Sequence, residues 1–110
     1  VRPTMYGSYH KILNASRISA TEKNVVVVGN ICESGDILSR SGDEITRKMS
    51  SPAIGERLAF LDTGAYGFSM SSQYNFRPRP AEVLVHQGQS RLIRRAETFE
   101  DLTQCFVDFN

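Results

Sequence analysis

The sequence predicts a mainly β fold, a small antiparallel β barrel or sandwich with a short C-terminal helix. Short apolar runs recur along the chain and are separated by segments rich in glycine, proline and serine. Strands do not alternate with long amphipathic helices, which argues against a parallel doubly wound sheet. A helix-capping pattern appears near the C-terminus. The 110 residues are enough for one small domain with a modest core.

Short strands are predicted where β-branched or aromatic residues are bounded by turn residues. In chain order these segments are Tyr9 to Asn14, Asn24 to Val28, Ile37-Leu38, Arg57 to Leu61, Ala81 to His86 and Arg91 to Arg95. The four consecutive valines from 25 to 28 mark the clearest of them, which is expected to be a buried strand.

The connections between these strands carry few apolar residues. Ser39 to Ser51 is charged and rich in serine and is predicted to be a long surface connection. Ser69 to Asn75 is predicted to form a short helical turn, and Arg77 to Pro80 a solvated edge segment. The segment 87–90 separates the last two strands and predicts a hairpin.

The C-terminal helix is predicted from its capping residues. Thr98 is a favourable N-cap, and Asp101 three residues later completes a capping box, so a helix is expected from Thr98 to Gln104. The spacing places Phe99, Leu102 and Cys105 on one face, which predicts that they point inward. Cys105 is therefore expected to be part of the core.

Composition narrows the functional classes. The formal net charge of +1 gives no support for a nucleic-acid or membrane surface. No apolar run approaches a membrane span, and no secretion signal is expected from these residues. Two cysteines are too few for a disulfide framework, which predicts a reducing, cytoplasmic compartment. Because the chain starts at Val1 and continues directly with Arg2-Pro3, we expect it to be a piece cut from a longer protein.

The segment Gly29 to Asp36 concentrates polar side chains after the predicted valine strand. It contains the thiol of Cys32 and the carboxylate of Glu33, together with a serine and a second carboxylate. Loops at strand ends often carry binding and catalytic groups. On residue types alone, an ordinary polar turn and a functional site remain equally open.

Other candidate residues are distributed along the chain. Arg2 and Tyr6 lie four residues apart, so one helical turn would place a carboxylate-binding guanidinium and a phenol on one face. Tyr66 lies among glycines, which predict unusual backbone dihedrals or close approach of a ligand. His10 and His86 occupy predicted strands and are expected to be structural. No metal-binding or phosphate-loop motif is present.

Four segments resemble the motifs of one family, the diaminopimelate decarboxylases. Residues 27–36 (VVGNICESGD) resemble the family's GPxCESGD segment, with Asn30 in place of the usual proline. Residues 64–80 (GAYGFSMSSQYNFRPRP) resemble GAYGxSMxSxYNxRPRP. Residues 2–6 (RPTMY) resemble RPxxY, and residues 92–102 (LIRRAETFEDL) resemble the IRRRETxEDL ending.

The resemblance implies a place in a two-domain enzyme. The family consists of fold-type III pyridoxal-phosphate enzymes, with an N-terminal (β/α)8 barrel and a C-terminal β domain like that of alanine racemase. Residues 1–110 resemble the C-terminal β domain alone, and the resemblance implies that an N-terminal barrel carries the Schiff-base lysine and most of the pyridoxal 5'-phosphate site. The isolated chain would therefore be inactive, and the whole enzyme would be a head-to-tail homodimer with shared active sites.

The resemblance also implies a role for each candidate residue. Arg2 and Tyr6 would bind a substrate carboxylate, and Tyr66 would contact both cofactor and substrate. Glu33 would bind the ammonium group of the substrate. Cys32 would give a proton to the carbon from which carbon dioxide has left. The implied reaction converts meso-2,6-diaminopimelate to L-lysine and carbon dioxide in lysine biosynthesis, with Cys32 and Glu33 serving the partner subunit's site.

Two alternatives remain open. Related ornithine, arginine and lysine decarboxylases carry a cysteine in the equivalent loop, usually followed by aspartate, so Glu33 favours the diaminopimelate branch. A β module that binds a partner protein without catalysis is the alternative from a different class.

Overall fold

The computed structural model describes residues 3–18 and 21–108. The chain divides into two compact units, residues 1–70 and residues 71–110. The described helices and strands follow in the order α1 (Pro3–Tyr6), β1 (Ile12–Asn14), β2 (Glu22–Val25), β3 (Arg47–Ser50), β4 (Leu58–Phe60), α2 (Gly64–Gly67), a tight turn (Tyr74–Phe76), β5 (Glu82–His86), β6 (Gln89–Arg94) and α3 (Phe99–Thr103).

The first unit contains two antiparallel ribbons of two strands each. β1 pairs with β4, with Ile12 opposite Phe60, and β2 pairs with β3, with Val25 opposite Arg47. β1 also lies beside β3. Ile12 on β1 and Met49 on β3 are buried, so the small apolar core of this unit lies where the two ribbons meet.

A buried amide fastens the connection that follows β1. Asn14 is 2% exposed; its Oδ1 accepts hydrogen bonds from the amides of Ser16 at 3.0 Å and Arg17 at 3.1 Å. Its Nδ2 donates to Glu56 at 2.8 Å. Hydrogen bonds from the Ala53 amide, then from Asn14 and Arg17, hold the pKa of Glu56 below its usual value. Both polar atoms of Asn14 are satisfied, as burial of an amide requires.

The predicted strand from Asn24 to Val28 is wrong in its length and burial. β2 ends at Val25, and Val28 is 61% exposed. Beyond Val25 the backbone leaves β3: Val27 accepts a hydrogen bond from the amide of Leu38 at 2.8 Å. The predicted strand at Ile37-Leu38 is reduced to one isolated bridge with Val28. The valine run is divided between two partners, so it does not form one long strand.

The segment from Ser39 to Ser51 is also corrected, because it is not a surface connection. It contains β3, and both Ser39 and Met49 are buried. Ser50, which is 6% exposed, donates its hydroxyl to the carbonyl of Arg17 at 2.7 Å. Burial here relies partly on hydrogen-bonded serines, so the segment lacks the apolar alternation that marks a strand.

The second unit contains the predicted hairpin. β5 and β6 pair in antiparallel fashion around Gln87 and Gly88, whose φ angles are 49° and 73°. Positive φ at both central residues is the type I′ geometry that suits the twist of a hairpin. The prediction is confirmed, with a connection of two residues rather than the four of 87–90. Glu82 and Arg94 close the open end with an ion pair of 2.7 Å.

α3 begins with the predicted capping box. The Thr98 hydroxyl accepts from the amide of Asp101 at 3.4 Å, and the Asp101 carboxylate accepts from the amide of Thr98 at 2.8 Å. Arg95 donates to both oxygens of Asp101 at 2.5 and 2.8 Å. This Arg95 fork, followed by the Thr98 amide, lowers the pKa of Asp101 far below its usual value.

The inward face predicted for α3 is only partly correct. Leu102 is half-buried, whereas Phe99 is 62% exposed. Cys105 is exposed, so its predicted place in the core is wrong. Phe99 packs edge-on against Phe76 with ring centroids 5.7 Å apart. A helix of five residues presents too little surface to bury three side chains within this unit.

The predicted class, mainly β with antiparallel pairing and a short C-terminal helix, is confirmed. The closed barrel is not: within the described residues the strands form three separate two-stranded sheets. Closure requires each strand to pair along both edges, and each of these strands pairs along one. No helix of the described residues is both long enough and apolar enough to cross a membrane.

Candidate functional site

The pairing of β1 with β4 brings the chain before β1 next to the chain after β4. The amide of Leu61 donates to the carbonyl of Lys11 at 2.9 Å. The Nδ1 atom of His10 lies 3.2 Å from the carbonyl oxygen of Leu61. These bonds extend the ribbon past the ends of both strands, so residues distant in sequence meet around one concave surface.

A pocket of about 440 Å³ with mostly apolar walls lies at this surface. It is lined by Tyr6, Ser8, His10, Asp62, Ala65, Tyr66 and Met70. Two of the predicted site residues, Tyr6 and Tyr66, therefore share one pocket. Arg2, the predicted partner of Tyr6, lies outside the described residues.

Tyr66 is presented by α2, and the glycines around it act differently from the prediction. Neither Gly64 nor Gly67 has a positive φ, because both belong to the helix. The amide of Gly67 donates to the carbonyl of Thr63, and a β-carbon on Gly67 would lie 3.1 Å from the Thr63 side chain. Gly67 is thus favoured because it leaves space for Thr63, and the predicted unusual dihedrals are wrong.

His10 and Asp62 line the pocket although sequence reasoning did not select them for a site. The hydrogen bond of His10 agrees with the structural role predicted for it, and its ring also borders the pocket. Asp62 adopts a φ of 56°, a left-handed conformation that is strained for most residues and is concentrated at functional sites. In the sequence, Asp62 is followed by Thr63 and Gly64, as in an ordinary turn. Nothing in this pattern indicates that Asp62 lines a pocket.

Cys32 and Glu33 lie on a separate feature, the loop of residues 29–36, and do not line this pocket. Both are exposed. The loop is closed by backbone hydrogen bonds: the Gly29 amide donates to the Asp36 carbonyl at 3.0 Å, and the Asp36 amide to the Glu33 carbonyl at 3.2 Å. It therefore presents a thiol and a carboxylate side by side on an ordered turn.

This arrangement supports two kinds of chemistry. A thiol can act as a general acid, and an adjacent carboxylate can bind an ammonium group through charge-assisted hydrogen bonds. The phenols of the pocket can donate to carboxylate or phosphate oxygens. Among the residues that the structure describes, no group of three His, Cys, Asp or Glu side chains is placed to hold a metal ion.

Comparison with known proteins assigns the family. The family model described as "Pyridoxal-dependent decarboxylase, C-terminal sheet domain" matches residues 1–64. The chain belongs to the pyridoxal-dependent decarboxylases. The matched region includes Tyr6, Cys32 and Glu33 and ends at Gly64, just before Tyr66.

Relatives in this decarboxylase family are similar over nearly the whole chain. The diaminopimelate decarboxylase of Methanothermobacter thermautotrophicus is 50% identical over 103 residues, which are 93% of this chain and 23% of the relative. The chain thus spans about a quarter of the length of the curated relatives it matches.

Solved structures give the same result. One crystal structure of a diaminopimelate decarboxylase superposes with a TM-score of 0.84 at 47% identity, over 94% of this chain and 26% of that one. The diaminopimelate decarboxylase from M. jannaschii, solved in complex with L-lysine, superposes with a TM-score of 0.83 at 38% identity, over 97% and 24%. The family assignment thus extends to the three-dimensional fold.

The pocket residues fit one side of a pyridoxal cofactor. Its walls combine apolar surface from Ala65 and Met70 with the rings of Tyr6, His10 and Tyr66. Flat rings and a methionine suit an aromatic pyridine ring, and phenols suit its polar substituents. Among the residues that the structure describes, this pocket could contact such a cofactor through its apolar and aromatic walls.

Proposed function

We propose that this chain is the C-terminal β domain of a pyridoxal phosphate-dependent decarboxylase that converts meso-2,6-diaminopimelate to L-lysine and carbon dioxide. The observation that carries the proposal is the exposure of Cys32 and Glu33 together at one ordered turn. The reaction needs a proton donor for the carbon that loses carbon dioxide and a group that holds a distant ammonium. Similarity to diaminopimelate decarboxylases over most of the chain supports this substrate.

Cys32 is the proton donor in this proposal. Its S–H bond breaks as a C–H bond forms at the substrate carbon that carried the carboxylate. The resulting thiolate recovers a proton from water, which the exposed position of the loop allows. Glu33 binds the substrate ammonium and thereby orients the chain for this transfer.

Tyr66 and Tyr6 act at the pocket. Tyr66 contacts cofactor and substrate, and Tyr6 binds a substrate carboxylate together with Arg2. When bound, pyridoxal 5'-phosphate withdraws electrons from the substrate α-carbon. Its Schiff-base lysine and most of its phosphate site belong to an N-terminal (β/α)8 barrel of the same protein.

The active protein is a cytoplasmic homodimer with shared sites. Support comes from the separation of the two groups of residues within one chain: Tyr6 and Tyr66 line the pocket, whereas Cys32 and Glu33 do not. In a head-to-tail dimer, the loop of one subunit completes the pocket of its partner. Mixing inactive Cys32→Ala and Tyr66→Ala subunits should then restore about a quarter of the activity, because random pairing gives half of the dimers one intact site.

Replacing the thiol tests the chemical role. In the intact protein, Cys32→Ala should lower turnover of diaminopimelate about a hundredfold or more, the usual contribution of a general acid. The absorbance of the bound cofactor should not change. Cys105→Ala is the matched control, because Cys105 is also exposed. Full activity of Cys32→Ala would remove Cys32 from the mechanism.

Substrate comparison tests the assigned reaction. The intact protein should release carbon dioxide from meso-diaminopimelate and not from ornithine, arginine or lysine. Turnover of one of those three instead would place the protein in another branch of the family. No turnover of any of them by a cofactor-loaded protein would favour a non-catalytic β module.

A further inference from the structure

The loop that carries Cys32 and Glu33 is locked by the side chain of Asp36. The Oδ2 atom of Asp36 accepts a hydrogen bond from the amide of Ile31 at 2.9 Å. Ile31 directly precedes Cys32, so this bond fixes the backbone at the residue before the thiol. The backbone of Asp36 bonds to Gly29 and Glu33 as well. The last residue of the loop is thus hydrogen-bonded to its start and to its middle.

Gly29 makes room for this carboxylate. A β-carbon built on Gly29 would lie 2.5 Å from Cγ of Asp36 and would overlap both carboxylate oxygens. Such a separation is far inside van der Waals contact, so a larger residue at position 29 would displace the Asp36 side chain. The observed position of the Asp36 side chain therefore requires glycine at position 29.

The base of the loop is anchored independently by Ser39. This residue is fully buried; its hydroxyl accepts from the amide of Val27 at 2.9 Å and donates to the carbonyl of Ile45 at 2.5 Å. The Val27 carbonyl in turn accepts from the Leu38 amide. Because Ser39 joins the segments that flank the loop without using the Asp36 carboxylate, we expect loss of that carboxylate to disturb the loop and not its base.

We infer that Asp36 is a positioning residue that holds Cys32 and Glu33 in reacting geometry, with Gly29 as its steric partner. The inference rests on the proposed function of Cys32 and Glu33. Asp36 does not itself act on the substrate here. Its effect passes through the Ile31 amide, and misplacement of a reacting group by about 1 Å can cost about a hundredfold in rate.

Three variants of the intact protein test the lock. Asp36→Ala removes the acceptor and should lower kcat for diaminopimelate about ten- to hundredfold. Asp36→Asn keeps a side-chain oxygen for the Ile31 amide and should recover most of that loss. Gly29→Ala should lower kcat as Asp36→Ala does, because it displaces the same carboxylate. Asp43→Ala, at an exposed turn, is the matched control.

The double variant Gly29→Ala/Asp36→Ala separates a lock from general destabilisation. Once the carboxylate is gone, the alanine at 29 has no side chain to displace, so the double variant should be no slower than Asp36→Ala alone. The inference would be overturned if the loss of kcat in the double variant equalled the product of the losses in the two single variants. It would also be overturned if Asp36→Ala had the kcat of wild type.

Hydrogen–deuterium exchange supplies a readout that does not depend on catalysis. The Ile31 amide should exchange at least about tenfold faster in Asp36→Ala than in wild type, whereas Asp36→Asn should remain close to wild type. Unchanged exchange at Ile31 in Asp36→Ala would refute the lock. The two proposals can fail separately. If Cys32→Ala is fully active but the Ile31 amide exchanges faster in Asp36→Ala, the proposed role of Cys32 is refuted, whereas the hydrogen bond from Ile31 to Asp36 still fixes the loop.

Discussion

Arg79 and Glu97 bind each other through main chain and side chain together. The Arg79 amide and guanidinium each donate to the Glu97 carboxylate at 2.8 Å, and the Glu97 amide donates to the Arg79 carbonyl at 2.9 Å. The segment Arg77 to Pro80, predicted to be a solvated edge, is thereby fastened to the chain that follows β6. These bonds make Glu97 a pH-dependent support of the second unit.

Glu97→Gln should weaken the fold at neutral pH more than in acid. The amide of Arg79, followed by the side chains of Arg79 and Gln73, holds the folded pKa of Glu97 below its usual value. Its contribution is therefore fully present above the unfolded pKa of about 4.3 and is lost as pH falls through the lower folded pKa. We expect the difference in Tm between wild type and variant to be largest near neutral pH and to shrink below about pH 4.

Thermal unfolding across this pH range measures the effect. Asp43→Asn, which neutralises an exposed turn carboxylate, controls for the loss of one negative charge. A Tm difference for Glu97→Gln that grows on acidification would contradict the assigned contacts.

Thr98→Ala should destabilise the second unit by about 1 kcal/mol, the usual cost of losing an N-cap hydroxyl. The hydroxyl satisfies the Asp101 amide, which has no partner inside the helix. Thr98→Ser retains the hydroxyl and should stay close to wild type. Urea unfolding of the three proteins gives the comparison, and equal midpoints for alanine and threonine would show that the cap contributes nothing.

Asn14→Ala should cost about 2 kcal/mol, because it removes a buried side-chain amide that hydrogen-bonds three partners at the end of β1. The amide of Ser16 loses its acceptor, the amide of Arg17 keeps only the Asn14 carbonyl at 3.3 Å, and Glu56 loses a donor. Asn24→Ala changes the same residue type at an exposed position of β2 and should stay within about 0.5 kcal/mol of wild type. Chemical denaturation distinguishes them, and a neutral Asn14→Ala would mean that water replaces the amide.

Met49→Ala should cost about 3 kcal/mol, since it opens a cavity in the small core between the ribbons. Met49 is 4% exposed. Ile54, at a turn of the same unit, is fully exposed, so Ile54→Ala is a control expected to be nearly neutral. Similar unfolding free energies for both variants would instead support the prediction that residues 39–51 form a surface connection.

Glu33→Gln should raise KM for diaminopimelate about ten- to hundredfold while kcat falls less. Loss of a charge-assisted hydrogen bond to an ammonium costs about 1.5–3 kcal/mol, and each 1.4 kcal/mol is about tenfold in affinity. Steady-state kinetics on the intact protein measure both constants. Ser34→Ala, on the same loop and also exposed, should leave KM unchanged; an equal rise in both variants would indicate a disturbed loop.

Local chemistry explains which elements the sequence predicted. The hairpin depends on Gln87 and Gly88 between two apolar strands, and the α3 cap depends on Thr98 and Asp101 three residues apart. Both signals lie within a few residues of the structure they specify. The prediction therefore needed no information about distant contacts.

The errors have the opposite origin. β3 is stabilised by pairing with β2, and Ser39 is buried against Val27 and Ile45. Neither contact leaves a periodic apolar pattern in its own segment. The shared pocket of Tyr6 and Tyr66 likewise depends on β1 pairing with β4 across a large separation in sequence. Residue types alone left the loop of Cys32 undecided between turn and site, and family resemblance supplied the roles now proposed.

The turn from Ser41 to Glu44 offers a handle for experiments near this loop. Two backbone hydrogen bonds close it, at 2.8 and 3.1 Å, and Gly42 takes the left-handed φ of 57° that it requires. Ser39 and Ile45 are bonded to each other on either side of it. A short peptide tag inserted after Gly42 should therefore leave the conformation of loop 29–36 unchanged. Such a tag would permit immobilisation or fluorescent labelling of the protein.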